Sequence, residues 1–273
     1  EMWNNPANLR NIEQLRSDGI TVFQPAYGEQ ACGEIGLGRM LEAADLADLI
    51  SDLWIPKILL GKRILITAGA TFEAIDPVRG ITNISSGQMG TALARACRAA
   101  GAKVTLIYGQ LQTTIPTGLL HTEQAVSAEE MFRAVHNHST NQDVFISVAA
   151  VADYKVKNSS SQKIKKDGSG KVPVIELTEN PDILASIASL PNTPFCVGFA
   201  AESERVLEYA RVKRIRKNIP MLVANQISQS MGKTTNQITI IDDENEISFP
   251  ETDKRQAADN IVKHLAARLN RSS

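Results

Sequence analysis

Arg63-Ile64-Leu65-Ile66-Thr67, running into Ala68-Gly69-Ala70-Thr71, and the stretch 87–100 that follows a polar loop decide how this chain folds. The first five residues are apolar and β-branched over a strand's length. In 87–100, Met89, Leu93, Ala96, Cys97 and Ala100 recur at three- and four-residue spacings and make one apolar helical face. A strand that passes through a small-residue turn into an amphipathic helix is the opening unit of a parallel sheet. Gly101 ends that helix and 103–108 is a second strand. Residues 127–138 read as a helix with Ser127 as N-cap and Glu130 in the capping-box position. The nearly continuous apolar run 144–149 suits the centre of a sheet. Further strands are predicted at 172–177, 195–199, 221–224 and 237–241, and helices at 182–189, 204–217 and 252–269. The fold class is therefore α/β: a Rossmann-like, mostly parallel sheet with helices on both faces.

Working outward, residues 1–50 read as two helical pieces around a glycine-rich loop at 28–40, with no strand pattern of useful length. A core built from these alone would be small, so the segment is expected to pack on something else or to end another domain. Residues 54–61, punctuated by Pro56 and Gly61, read as a linker. The lysine-rich stretch 155–170 is a long loop or a hairpin arm, and loops of that length inside a domain tend to be functional or disordered. No internal repeat is visible.

The net charge of −1 over 273 residues gives no global field that would recruit nucleic acid or an anionic membrane. The longest apolar stretch, 144–152, falls far short of the about 20 residues a membrane helix needs. Cys32, Cys97 and Cys196 are widely separated, and no Cys-x-x-Cys or close histidine pairing suggests zinc or a disulfide framework. A reducing cytoplasm is the expected compartment. Position 1 is Glu and no basic leader follows, so the chain reads as starting inside a longer protein.

Four clusters can carry chemistry. Gly69, Ser85, Ser86 and Gly87 flank the first strand-to-helix connection, where small residues and a helix N-terminus form a plausible anion cradle, although no Gly-x-Gly-x-x-Gly is present. The loop 76–87 gathers Asp76, Arg79 and Asn83 where open α/β sheets bind ligands; Arg79 can fork onto a carboxylate or phosphate. Asp153, just past the central strand, is placed for Mg²⁺, and Lys163, Lys165 and Lys166 on the arm could close over phosphates. Asn180, Pro181 and Asp182 begin a helix near Phe199, which could stack on a base, while Lys213 and Lys217 share a helical face. Each cluster also has a plain structural reading as a turn, a cap, a core aromatic or a solvated face. Gly232-Lys233-Thr234 mimics the end of a P-loop, but Ile227 occupies the position where the leading glycine is required.

Taken in order, Thr67 to Thr71, Asp76 to Arg79, Ile81 to Gly90, Ala149 to Tyr154, Lys163 to Lys166, Glu179 to Ile183 and Val197 to Glu202 resemble bacterial phosphopantothenate–cysteine ligase. The likeness runs from residue 62 to 273 and implies a ligase domain there. It implies CTP-dependent joining of 4′-phosphopantothenate to cysteine through an acyl-cytidylate, with Mg²⁺. On the family pattern Asp153, Lys163, Pro181, Asp182, Ile183, Leu184, Phe199, Lys213 and Lys217 serve CTP, and Lys163 stabilises charge on its phosphates. Asn83, Ala149 and Ala150 hold phosphopantothenate and the activated acyl group, and Arg79 reaches a neighbouring subunit of a homodimer.

Within the first 56 residues, Met2-Trp3, Asn8 to Asn11 and Ala31 to Met40 resemble the tail of the flavin-dependent decarboxylase fused ahead of this ligase in bacteria, and Cys32 matches its proton donor. That implies a bifunctional parent which decarboxylates phosphopantothenoylcysteine and forms a higher oligomer. The family's earlier histidine and most of its flavin site are absent from these residues, so this polypeptide is expected not to decarboxylate, and FMN is expected only with the missing flavin domain. Carbon dioxide release by this polypeptide with added FMN would refute that expectation. An NAD(P)-dependent reductase, which lacks its glycine fingerprint here, and a non-catalytic interaction module are the rival readings.

Overall fold

The computed structural model describes residues 2–30, 33–165, 172–202, 204–226 and 235–271. The chain divides into two compact units, Glu1–Ile55 and Pro56–Ser273.

In the smaller unit α1 (Pro6–Ser17) starts with proline at its first position and Asn5 as N-cap, whose side chain accepts the Ala7 N–H. The glycine-rich stretch is not simply a loop. It forms an antiparallel pair, β1 (Ala26–Glu29) and β2 (Ile35–Arg39), bulged at Ala26/Tyr27, followed by α2 (Ala43–Ser51). Gly36 and Gly38 hid the strand: neither has a side chain to alternate, and Gly38, at φ +153°, leaves room for the Gln30 side chain, which donates to Leu37 O at 3.3 Å. Among the described residues of this unit only Ile12, Leu41 and Leu49 are buried apolar side chains, so its own core is slight.

In the larger unit β3 (Arg63–Ala68) is followed by a small hairpin, β4 (Phe72–Ala74) and β5 (Gly80–Thr82), and then by α3 (Gln88–Ala99). Next come β6 (Lys103–Tyr108), β7 (His121–Gln124), α4 (Ala128–His138) and β8 (Val144–Ser147). A second small hairpin pairs β9 (Tyr154–Val156) with β10 (Leu177–Glu179), and α5 (Ile183–Ala188), β11 (Phe195–Glu202), α6 (Val206–Arg216) and β12 (Met221–Gln226) follow. The chain closes with β13 (Thr235–Asn236), β14 (Ile238–Ile241), β15 (Glu246–Ser248), β16 (Thr252–Asp253) and α7 (Lys254–Arg271).

The main sheet has eight strands in the order β15-β14-β12-β11-β8-β3-β6-β7. From β7 to β12 every neighbour is parallel, and β14 and β15 add an antiparallel edge. The chain builds outward from β3 to β6 and β7, then returns to the other side with β8. The direction of winding therefore reverses between β3 and β8, and ligands of such sheets bind outside the carboxyl ends of the strands at that reversal. Strand alternation explains the two covered faces. Ile64, Ile66, Val144 and Ile146 pack under α3 and α7, while Leu65, Phe145 and Cys196 pack under α4, α5 and α6. A Cβ on Gly90 would stand 2.5 Å from the Ala68 Cβ, so that glycine sets how closely α3 lies on β3. The capping box at Ser127 and Glu130 forms as expected.

Several boundaries differ from expectation. β8 stops at Ser147, because the next residues turn to bond the β3 loop. Residues 172–176 form no strand; the pairing residues are Leu177–Glu179, and the arm is a hairpin at its base. β7 has the sequence His-Thr-Glu-Gln, a polar edge strand without apolar alternation, and was not anticipated. At the far edge Asp242 is buried, accepts the N–H groups of Glu244 and Asn245, and meets His264 of α7 at 2.7 Å. The P-loop-like residues 232–234 lie outside the described residues. No helix among the described residues is long and apolar enough to cross a membrane.

Candidate functional site

At the reversal point the chain's own bonds close the first turn. Gly69 takes φ +79°, and a Cβ there would lie 2.4 Å from Gln110 O. The Ala70 N–H donates to Gln110 O at 3.1 Å and the Thr71 N–H to Ala150 O at 3.3 Å. Two amides of the turn expected to form an anion cradle, those of Ala70 and Thr71, are therefore engaged within the chain and stitch three loops together. Asn83 belongs to the same knot, its Nδ2 donating to Ala150 O at 3.2 Å and to Val151 O at 3.1 Å. Both donor hydrogens are engaged, which leaves Oδ1 as the pole that can accept from a ligand.

Beside this knot a cavity of about 610 Å³ opens beyond the ends of β8 and β11. Ala149 and Val151 to Tyr154 form one wall, Glu179 to Ala185 another, Phe199 part of the floor, and Lys213, Arg216 and Lys217 the far rim. Asp182 caps α5, accepting the Ala185 N–H at 3.0 Å, and its other oxygen pairs with Lys217. Burial lowers the Lys217 ammonium below its ordinary range, and the negative charge of Asp153 opposes that shift. Lys213 Nζ donates to Phe199 O at 2.7 Å, tying the helix to the strand end. Gly198 permits the closeness of α5: its Cβ would meet Ile219 at 2.6 Å and Leu184 at 2.9 Å. Two or three cations facing an aromatic ring and a strand end can take a polyanion with a planar group attached. Asp153 and Glu179 are exposed carboxylates on the lining, oxygen donors of the kind Mg²⁺ takes.

Of the nine residues expected around CTP, eight line this cavity; Lys163 does not. Ala149 lines it as well, whereas Asn83, Ala150 and Arg79 sit outside its wall, Asn83 and Ala150 in the adjoining knot. Arg79 is turned inward within its own chain: Nε meets Asp76 Oδ2 at 3.1 Å, and the guanidinium also donates to Ile164 O at 2.9 Å. Asp76 is buried and accepts the Val78, Arg79 and Ile164 N–H groups as well. The Arg79 guanidinium holds the Asp76 carboxyl far below the usual carboxylate range; burial works against this and the three amides support it. This clasp fastens the arm at Ile164, next to the exposed Lys163. Cys32 lies outside the described residues.

Asn180, which the sequence reading puts in a cluster able to carry chemistry but gives no role of its own, is held from both sides. Its Nδ2 donates to Ala152 O at 2.9 Å, its N–H to Asp153 O at 2.8 Å, and its Oδ1 is buried with no partner among the described residues. An asparagine ahead of a proline reads as a turn, and nothing local announces that it ties two segments of the cavity lining together. Burial raises Cys97 to about 12 and Cys196 to about 11, so neither is a nucleophile at neutral pH.

Residues 59–269 match the family described as DNA/pantothenate metabolism flavoprotein C-terminal domain, and residues 1–54 match the family described as Flavoprotein. The Coenzyme A biosynthesis bifunctional protein CoaBC of Vibrio cholerae is 45% identical over 269 residues, covering 97% of this chain and 67% of that protein. Its counterpart from Escherichia coli is 43% identical over 232 residues, covering 84% of this chain and 57% of that protein. Among solved structures, the C-terminal domain of a CoaBC protein superposes with a TM-score of 0.68 at 39% identity, over 78% of this chain and 98% of that one. A Cab2 variant in complex with phosphopantothenate-cysteine, 16% identical with a TM-score of 0.63 over 85% of this chain and 94% of that one, shares the fold. The chain thus belongs to the family of bifunctional coenzyme A biosynthesis proteins, carrying their C-terminal domain and a stretch of their flavoprotein domain.

Proposed function

We propose that the Pro56–Ser273 unit is a phosphopantothenate–cysteine ligase driven by CTP. The observation that carries this reading is the cavity beyond β8 and β11, which gathers Lys213, Lys217, Asp153 and Phe199 around one space of nucleotide size. The relatives are proteins of coenzyme A biosynthesis, and the Cab2 complex holds phosphopantothenate-cysteine, which supports this reading.

In the first step a carboxylate oxygen of 4′-phosphopantothenate attacks the α-phosphorus of CTP. The bond to the β-phosphate breaks and pyrophosphate leaves. In the second step the cysteine amine attacks the acyl carbon of the mixed anhydride, CMP departs with the bonding pair, and the amine gives up a proton. Little covalent work falls to the protein, so positioning and charge neutralisation dominate. Lys213 and Lys217 lie against the phosphates, Phe199 and the Pro181 to Leu184 turn bound the nucleoside, and Lys163 closes from the arm. Asn83 offers Oδ1 to the acyl substrate beside Ala149 and Ala150. Mg²⁺, held by Asp153 with the triphosphate, would neutralise phosphate charge. In the assembly a homodimer brings Arg79 towards a neighbouring site once the Asp76 pairing is exchanged, and the full-length protein adds FMN-dependent decarboxylation with Cys32 as proton donor.

Pyrophosphate release by the purified chain, supplied with 4′-phosphopantothenate, cysteine and either CTP or ATP, tests the proposal. Release that needs CTP and cysteine together, and that collapses in Lys163→Ala and Asn83→Ala, is expected. Equal turnover with ATP would remove the cytidine assignment, and no release with either nucleotide would remove the ligase assignment.

A further inference from the structure

His121, Glu123 and His138 form a cluster outside the nucleotide cavity and take no part in the ligase reading. His121 and Glu123 stand two apart on β7 and so point to the same side of the sheet. His138 is the last residue of α4, which packs on that side. Glu123 Oε2 lies 2.8 Å from His138 Nε2 and 3.6 Å from His121 Nε2, and the two imidazole rings are 4.7 Å apart. Three possible ligand atoms, one from each residue, fall within 4.8 Å of one another. Sixteen residues lie between the two histidines, which is why no pairing was visible in the sequence.

We infer that this trio is a binding site for a divalent first-row transition ion of the zinc class. Two nitrogens and a carboxylate oxygen are the donor set of open zinc sites, with a fourth position left to water. Mg²⁺ does not suit it, since that ion prefers an oxygen shell. Ligands at zinc distances stand about 3.4 Å from one another in a tetrahedron. The Glu123–His138 contact must therefore widen by about half an ångström and the imidazoles draw in slightly. Side chains that are 46%, 40% and 31% exposed can make that adjustment, and the exposure lets the ion enter from solvent. The backbones are fixed: β7 is held in register on β6, with Glu123 opposite Ile107, and α4 is closed at its start by the capping box. The carboxyl end of α4, where the helix dipole is negative, adds attraction for a cation.

The test uses the intact chain, stripped with chelator and titrated with Zn²⁺ by calorimetry and with Co²⁺ by its ligand-field absorption. One equivalent should bind with excess Mg²⁺ present. His121→Ala and His138→Ala should each weaken binding about tenfold or more and abolish the tetrahedral Co²⁺ spectrum. Glu123→Gln should weaken it with circular dichroism unchanged, and His136→Gln should leave it unaltered. No uptake by the parent chain, or equal uptake by the parent and both alanine variants, would overturn the site and leave a histidine–carboxylate hydrogen-bond cluster.

Discussion

Lys213 donates its ammonium to the last part of β11 and faces the cavity from the final turn of α6, so its charge is held in place rather than swept by a flexible stem. Replacing it by alanine should raise the apparent KM for CTP about tenfold or more, the size of one charged hydrogen bond, with the circular dichroism spectrum retained. Asp76 answers to a different test. Its carboxyl is held well below the ordinary value of 3.8, so the folded state binds its proton less readily than the unfolded state does. The stability it confers is complete above about pH 5 and is lost as pH falls through the folded value. Asp76→Asn should therefore flatten the acid side of a stability–pH curve while lowering stability at pH 7, as urea midpoints would report. The local half of this arrangement, Arg79 three residues on, was within reach of the sequence, but the clasp on the arm was not, because Ile164 lies 88 residues away and offers only a backbone amide.

Elements were more readable than their ends. The period of Met89, Leu93, Ala96 and Cys97 revealed α3, and Ser127 with Glu130 marked the start of α4, because those signals are local. β7 escaped because an edge strand covered by one neighbour needs no apolar alternation, and β1 and β2 escaped behind their glycines. The Asp182 to Leu184 turn and Lys213 and Lys217 could be singled out from sequence, yet their meeting around one space depends on β11 carrying Phe199 to the same level. Gly90→Ala should be destabilising despite alanine's better helix propensity, since the new methyl meets Ala68; a loss of about 1–3 kcal/mol by chemical denaturation is expected. Ser127→Ala should cost about 1 kcal/mol by the same measurement.

Across the larger unit, the far edge of the sheet is joined to the closing helix by polar contacts as well as packing. Burial disfavours charge on Asp242, but the amides of Glu244 and Asn245, the His264 ring and the Arg268 guanidinium outweigh it and keep the carboxyl below its usual range. Asp242→Ala strips partners from His264 and Arg268 together and should lower unfolding free energy by about 3 kcal/mol, read from the urea midpoint. At the opposite side of the unit, the Asp76 clasp joins the arm to the loop that carries Asn83. In the proposed ligase, a nucleotide that drew on Lys163 would load the neighbouring Ile164 and, through the Asp76 carboxylate, the segment that bears Asn83. On that reading the clasp would link the places of the two reactants with no helix having to shift.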